Sequence, residues 1–239
     1  QRQTRAQMDL LQLACLGNQG AYVSYSQDLP DTDSVIRLLP ETDPGICQAL
    51  AAKWIAQHAN GSSLWNWLFK PGTQTVNKGA VTQLMLQFID STARHGPLAN
   101  PTNRDIVPGV RDFQEIATDR YLRLYRVIQR RIANTAFMGT LQNRIRTGLN
   151  GFPLAYRLHE NFLNSRGGSY ALVSVIGPDG GHALAAWVGE DIAFFDPNFG
   201  EFWFPTHQNF QRWFVRYWSI TDYKQYYDTF WITPYGREA

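Results

Sequence analysis

The sequence is poor in cysteine and in charge: its 239 residues include two Cys, and Asp, Glu, Lys and Arg make up only 18%. Two cysteines are too few for the disulfide framework of a small secreted domain. The net charge of +2 is too small to indicate a nucleic-acid-binding surface. No apolar run approaches the roughly 20 residues that a membrane-spanning helix needs.

Motifs that hold cofactors are also missing. The sequence has neither G-x-x-x-x-G-K-[ST] nor G-x-G-x-x-G, the glycine-rich loops that bind nucleotide phosphates. The histidines have no metal-ligand spacing with the cysteines, which argues against a zinc site. We therefore expect no cofactor, no metal and no nucleic-acid partner. The opening residues include neither an initiating Met nor an apolar signal core, which favours a domain excised from a longer protein.

Apolar residues are plentiful, at 44% of the chain, and they change their spacing near residue 150. Residues 1–150 show mainly helical spacing, whereas residues 151–239 hold short apolar runs separated by Gly, Pro and Asp. This segregation predicts a single α+β domain over 1–239, with a helical half followed by an antiparallel sheet. We predict helices at 3–16, 43–57, 77–92, 111–149 (with a break at Asn134) and 206–218, and strands at 169–176, 182–188, 191–195, 201–204 and 227–232.

The predicted helix from Asp119 to Thr147 is strongly basic. A basic helix can contact anionic lipid or an acidic partner, but it can equally be a solvated face whose leucines turn to the core. Both interpretations stay open. The residues that would contact an anionic membrane are Arg120, Arg123, Arg126, Arg130 and Arg131.

Cys47 lies near the predicted start of a helix. Asp43 can cap the first turn and Pro44 suits the first helical position. The free N–H groups and the dipole at a helix start favour a thiolate, the nucleophilic form of cysteine. Cys15 is flanked by apolar residues, and we expect it to be a buried small hydrophobic side chain.

A second cluster of reactive residue types lies in the hairpin HALAAWVGEDIAFFD. A three-residue turn centred on Gly189 would place His182 directly opposite Asp196, with Cβ atoms roughly 4.5–5.5 Å apart. A two-residue turn at Gly189-Glu190 would instead pair His182 with Pro197. Each side chain alone has an ordinary structural explanation, but together they suit a histidine oriented by a carboxylate.

With Cys47, these residues make a catalytic set. Cys47 is the predicted nucleophile, His182 its base and later the acid for the leaving group, and Asp196 fixes the histidine tautomer. The backbone N–H of Cys47 is the predicted oxyanion donor. The sequence does not identify a second donor.

The segments GICQALAAKWI, GGHALAAW and DIAFFDPNFGEFWF resemble the YopT/AvrPphB family of bacterial effector cysteine proteases. Similarity covers about residues 43–57 and 168–204. The resemblance implies a papain-like fold with a Cys–His–Asp triad, in a bacterial effector or toxin that is secreted and delivered into the host cytoplasm or to the inner membrane surface. The implied substrate is a host protein, such as a lipidated small GTPase or a kinase.

Two other classes of function remain open. The same acyl-enzyme chemistry at Cys47 can serve deamidation, transglutamination or acyl transfer on a host protein. Alternatively, the chain is a non-enzymatic binding module that uses the basic helix as its contact surface.

Overall fold

The computed structural model describes residues 2–28, 30, 32–33, 46–95, 113–130 and 144–239. Over these ranges it is an antiparallel sheet with helices on both faces. The helices are α1 (Arg2–Gly17), α2 (Ile46–Ala59), α3 (Leu64–Leu68), α4 (Lys78–His95), α5 (Phe113–Leu124), α6 (Phe152–Leu163), α7 (His207–Ile220) and α8 (Tyr223–Tyr226). The strands are β1 (Ala21–Ser24), β2 (Val127–Gln129), β3 (Ile145–Arg146), β4 (Ser169–Gly177), β5 (Gly180–Val188), β6 (Ile192–Asp196), β7 (Gly200–Phe204) and β8 (Thr229–Arg237).

The centre of the sheet is the meander β4–β5–β6–β7, in which strands that follow one another in sequence pair antiparallel. Strands from elsewhere in the chain extend it at both sides. β1 pairs with β7, and β8 pairs with β4 and then with β2 and β3. The described strands therefore form one sheet, in the order β1-β7-β6-β5-β4-β8-β2.

Two hydrophobic cores lie on the two faces of this sheet. Successive side chains of a strand point to opposite faces, so Ala183 and Ala185 pack beneath α2 whereas Leu184 and Ala186 pack on the side of α7. Both faces are covered, which explains why the strand sequences are nearly continuous apolar runs without polar alternation.

The α+β fold class is confirmed, and so are the sheet strands and the helix after Thr206. The Thr206 hydroxyl caps α7 by accepting a hydrogen bond of 3.1 Å from the N–H of Asn209, as its position in the sequence indicates. The predicted separation into a helical half and a sheet half is too simple. Short strands from the first 150 residues join the sheet, and α6 and α7 come from the second half.

The predicted basic helix over 119–147 is wrong. α5 ends at Leu124, and Arg126 has a φ of 60°, a left-handed conformation that terminates the helix. The chain then continues as β2, which pairs with the end of β8. Arg120 and Arg123 thus lie on a helix, while Arg126 and Arg130 lie in the flanks of a strand; Arg131 and the break at Asn134 lie outside the described residues.

Candidate active site

Cys47 is the second residue of α2, and its side chain is partly exposed. The helix start is anchored by the neighbouring Gln48, whose Nε2 donates a hydrogen bond of 2.9 Å to the Thr118 hydroxyl on α5. Cys47 therefore sits in a first helical turn, as predicted. The predicted cap at Asp43 and Pro44 lies outside the described residues.

His182 and Asp196 are in direct contact. His182 belongs to β5, Asp196 is the last residue of β6, and the imidazole Nε2 lies 2.8 Å from Oδ1 of the carboxylate. Since Nε2 is occupied, Nδ1 is the ring nitrogen left for Cys47, whose side chain forms a hydrogen bond with the histidine. The structure thus brings together all three side chains selected from the sequence.

The strand register that joins His182 to Asp196 differs from the prediction. The turn comprises Gly189 to Asp191, and the paired residues run from Val188 opposite Ile192 to Ala185 opposite Phe195. Continuing that register places Asp196 opposite Leu184, two positions along the strand from His182 and on the same face. Direct opposition is therefore wrong, and the contact is diagonal, within reach of long side chains.

The turn takes this register because Asp191 is held inside it. The N–H of Gly189 donates to the Asp191 carbonyl at 2.9 Å. The Asp191 carboxylate accepts hydrogen bonds from the indole N–H groups of Trp187, at 3.2 Å, and Trp203, at 2.8 Å. These bonds remove Asp191 from the strand, so the three-residue turn is centred on Glu190 and lies one residue later than predicted.

Electrostatics favour an ion pair at Cys47 and His182. Burial raises the pKa of the Cys47 thiol, but the hydrogen bond and charge of His182 and the backbone N–H groups of Ala183 and Gln48 outweigh it, so the pKa is lowered. Burial lowers the pKa of His182, but Asp196 and Cys47 together raise it to about 10. Near neutral pH this arrangement favours thiolate and imidazolium.

Asp196 is fully buried and accepts hydrogen bonds from four donors. Besides His182, its Oδ1 accepts from the N–H of Asn198 at 2.8 Å. Oδ2 accepts from the hydroxyls of Tyr217, at 2.5 Å, and Tyr223, at 2.7 Å. No local motif links residues 217 and 223 to 196, so the sequence alone did not reveal these two tyrosines.

The one oxyanion donor predicted from the sequence, the backbone N–H of Cys47, stays a prediction. The backbone N–H groups whose hydrogen bonds reach the Cys47 sulfur are those of Gln48 and Ala183. Within the described ranges, no group of three or more His, Cys, Asp and Glu side chains is arranged to hold a metal ion. In the same ranges, no helix has the length and apolar character to cross a bilayer.

The sequence is similar to a peptidase family and to named cysteine proteases. Residues 161–228, which include His182 and Asp196, match the family described as Yersinia/Haemophilus virulence surface antigen, a peptidase family. The cysteine protease yopT1 of Yersinia enterocolitica is 31% identical over 188 residues, covering 77% of this chain and 53% of the relative. The cysteine protease YopT of Yersinia pestis is 29% identical over the same length. The chain therefore spans about half the length of these relatives.

A solved structure shows the same fold. The Pseudomonas avirulence protein AvrPphB superposes with a TM-score of 0.57 at 16% identity, covering 82% of this chain and 93% of that chain. The resemblance noted in the sequence is confirmed by these comparisons.

Proposed function

Because this chain is related to the YopT and AvrPphB cysteine proteases, we propose that it is a thiol protease of that type, with Cys47, His182 and Asp196 as its catalytic triad. The observation that carries the proposal is the chain of contacts from the Cys47 sulfur through the His182 ring to the Asp196 carboxylate. A thiolate at a helix start next to an imidazolium is the arrangement that activates cysteine for attack on a carbonyl.

The first half of the reaction forms an acyl-enzyme. The Cys47 thiolate attacks the scissile carbonyl carbon, and the carbonyl oxygen becomes an oxyanion. As that tetrahedral intermediate collapses, the C–N bond breaks and the proton on Nδ1 of His182 passes to the leaving amine. The carbonyl carbon is then joined to sulfur as a thioester.

The second half regenerates the enzyme. Neutral His182 accepts a proton from a water molecule, which attacks the thioester carbonyl. The C–S bond then breaks, which restores the thiolate–imidazolium pair and releases a carboxylic acid that loses its proton to the solvent. Asp196 holds the ring through Nε2 in both halves, so that Nδ1 stays directed at the reacting atoms.

A protein of the host cell is the proposed substrate, and the host cytoplasm or inner membrane surface, reached by secretion from a bacterium, is the proposed location. The proposal extends to a lipidated small GTPase or a kinase as the target. The similarity to proteins named cysteine proteases favours proteolysis over deamidation, transglutamination or acyl transfer, which would use the same thioester.

Mapping of protein N-termini in host cells tests the protease proposal. Cells expressing the wild type should contain new N-termini that are absent with Cys47→Ala and retained with Cys15→Ala, which removes the other, fully buried thiol. Identical N-termini in all three samples would contradict proteolysis. A target that gains about one mass unit without fragmenting would indicate deamidation instead.

The exposed arginines of α5 and of the residues that flank β2 support a second, separate proposal, contact with an anionic membrane. Arg123 pairs with Asp119 at 3.2 Å, whereas Arg126 lies exposed in the turn before β2. Surface attraction to anionic lipid amounts to about 1 kcal/mol per basic side chain. Arg126→Glu should therefore reduce sedimentation with phosphatidylserine vesicles, while Arg212→Glu, an exposed arginine on α7, serves as the control. Equal loss with both variants would point to net charge alone.

A further inference from the structure

Both oxygens of the Asp196 carboxylate are fully committed. Oδ1 accepts from His182 Nε2 and from the N–H of Asn198, each at 2.8 Å. Oδ2 accepts from the hydroxyls of Tyr217 and Tyr223, at 2.5 and 2.7 Å. A carboxylate has about four lone-pair positions, and here four donors are present. Two of them come from side chains that only the tertiary fold brings to the site.

The two tyrosines can act only as donors toward this carboxylate. Burial, and after it the charge of Asp196, raises the pKa of Tyr217 and of Tyr223 far above the ordinary value. Their hydroxyls therefore keep their protons through the neutral range and well above it. Each of the two hydroxyls therefore acts as a hydrogen-bond donor to Oδ2 of Asp196.

Further contacts fix the tyrosines themselves. The side-chain N–H of Asn198 donates to the Tyr223 hydroxyl at 2.9 Å, so that hydroxyl has its own donor and directs its proton at Asp196. The side-chain N–H of Gln27 donates to Asn198 Oδ1 at 2.6 Å. The Tyr217 and Tyr223 rings meet edge to face, with centroids 5.7 Å apart, a favourable aromatic geometry.

A buried carboxylate needs such donors. Removing a charge from water is costly unless hydrogen bonds replace its hydration, and bonds to an ionised group are about twice as strong as neutral ones. With Oδ2 held from the helix side, Oδ1 is the oxygen that remains in front of His182. The ring is then bonded through Nε2, and Nδ1 is directed at Cys47.

We propose that Tyr217 and Tyr223 are positioning residues that hold the Asp196 carboxylate oriented toward His182, and through it sustain the thiolate of Cys47. This inference rests on the proposed function for its purpose, since it assigns the tyrosines to the triad of the proposed protease. The competing explanation is that their rings fill the core beneath α7 and that their hydroxyls only avoid being left unpaired.

Alkylation kinetics separate the two explanations without any substrate. The second-order rate of iodoacetamide with Cys47 is measured from pH 3 to pH 9 in a Cys15→Ala background, where Cys47 is the single thiol. Tyr217→Phe and Tyr223→Phe retain the rings and remove one hydroxyl each. Asp196→Asn sets the limit for complete loss of the carboxylate charge.

We expect the acid limb of the rate profile to move to higher pH. With a donor lost, the carboxylate is held less firmly in front of His182, the ring is less well aligned with Cys47, and the thiolate is stabilised less. Each single variant should shift the midpoint by about one pH unit, the lower end of the range for a hydrogen bond to a charged group. The double variant should approach Asp196→Asn. Tryptophan fluorescence recorded at each pH gives the folded fraction, so that the rate profile is fitted only where the variants are folded.

Tyr170→Phe is the matched control, since Tyr170 is also a buried tyrosine and its hydroxyl contacts His58 at 2.6 Å instead of Asp196. Wild-type midpoints in both Tyr217→Phe and Tyr223→Phe, or an equal shift in Tyr170→Phe, would overturn the inference. Should wild-type Cys47 react no faster than free cysteine at pH 6, the proposed protease function fails. A reactive wild type with unshifted variants rejects the tyrosine role alone.

Discussion

At the scale of single residues, the two thiols of this chain differ in pKa, and therefore in reactivity, because their surroundings differ. Cys15 is fully buried among the apolar side chains of α1 and the sheet, as the sequence indicated, and burial raises its pKa to about 12. The pKa of Cys47 is lowered in spite of burial, because His182 and two backbone N–H groups stabilise the thiolate. The difference arises from contacts, since the residue type is the same.

His182 should titrate well above an ordinary histidine. Asp196 and Cys47 raise its pKa to about 10, so imidazolium persists through neutral pH and is lost as the pH rises through about 10. In Asp196→Asn the attraction of the carboxylate is gone, and the midpoint should fall toward about 6.5. Nuclear magnetic resonance of the ring 13Cε1 signal, assigned with a His182→Gln variant, measures both values.

His207 provides the internal reference for this titration. It is a buried histidine whose hydrogen bond lies outside the triad: its Nε2 lies 2.6 Å from the Gly189 carbonyl, and burial lowers its pKa. Asp196→Asn should leave its midpoint unchanged. A wild-type His182 midpoint below 7 would contradict the ion pair, and a common movement of both histidines would indicate a change of fold.

At the scale of elements, two strands of the meander that carries the site begin with a glycine of positive φ. Gly200 begins β7 with a φ of +119°, and a Cβ built there would lie 2.1 Å from the Val23 carbonyl oxygen of β1. Gly180 begins β5 with a φ of +144°, but a Cβ built there meets nothing within 4 Å. Both positions demand a conformation that favours glycine, and only Gly200 also lacks room.

Gly200→Ala should consequently destabilise the protein more than Gly180→Ala. Both variants incur backbone strain of about 1–3 kcal/mol, and Gly200→Ala adds an overlap with β1 of similar size. Urea unfolding followed by tryptophan fluorescence measures both free energies of unfolding. Equal losses would mean that β1 moves aside freely, and that its pairing with β7 contributes little.

The elements predicted well from the sequence are those with strong local signals. The strands around His182 and Asp196 are apolar runs between Gly, Pro and Asp, and the hairpin contact between the two side chains followed even though the register was misjudged. The prediction of a helix through Arg126 was wrong because the left-handed residue that ends α5 is an arginine. Glycine or asparagine is the usual residue at such a position, so an arginine does not indicate a helix end in the sequence. Strand β2 is three residues long and is defined by its partner β8, so no local pattern reveals it.

The same reason explains why the Asp196 environment was incomplete. His182 is close to Asp196 in sequence, so a hairpin argument finds it. Tyr217 approaches from α7, and its place beside the carboxylate depends on how that helix packs across the sheet. Helical periodicity indicates which face is apolar, but it does not indicate which carboxylate a hydroxyl on that face will meet.

At the scale of the whole molecule, the site draws on both layers of the fold. Cys47 belongs to α2, which packs in the core on one face of the sheet, whereas the hydroxyls that hold Asp196 belong to the core on the other face. The meander β4–β7 is shared by the two cores. A change in either layer therefore reaches the same three side chains.

This sharing predicts that the chain unfolds as one unit, in agreement with the single domain expected over residues 1–239. The two cores pack on opposite faces of the same strands, so unfolding of the sheet disrupts both cores together. Differential scanning calorimetry should therefore give one transition whose calorimetric and van't Hoff enthalpies agree. Trp54→Phe perturbs one core and Trp213→Phe the other, and both should shift that same transition. Two separate transitions would contradict a single domain.

The order of the strands also has a consequence for synthesis. A ribosome delivers Cys47 long before it delivers His182 and Asp196, and the meander that carries the latter two is built from local hairpins, which close quickly. Strand β8 is then the last to pair, and it does so against β4 in the middle of the sheet. A nascent or truncated chain thus holds a cysteine with no imidazole beside it. The thiol of Cys47 is therefore activated only after the meander that carries His182 and Asp196 has been synthesised and has folded.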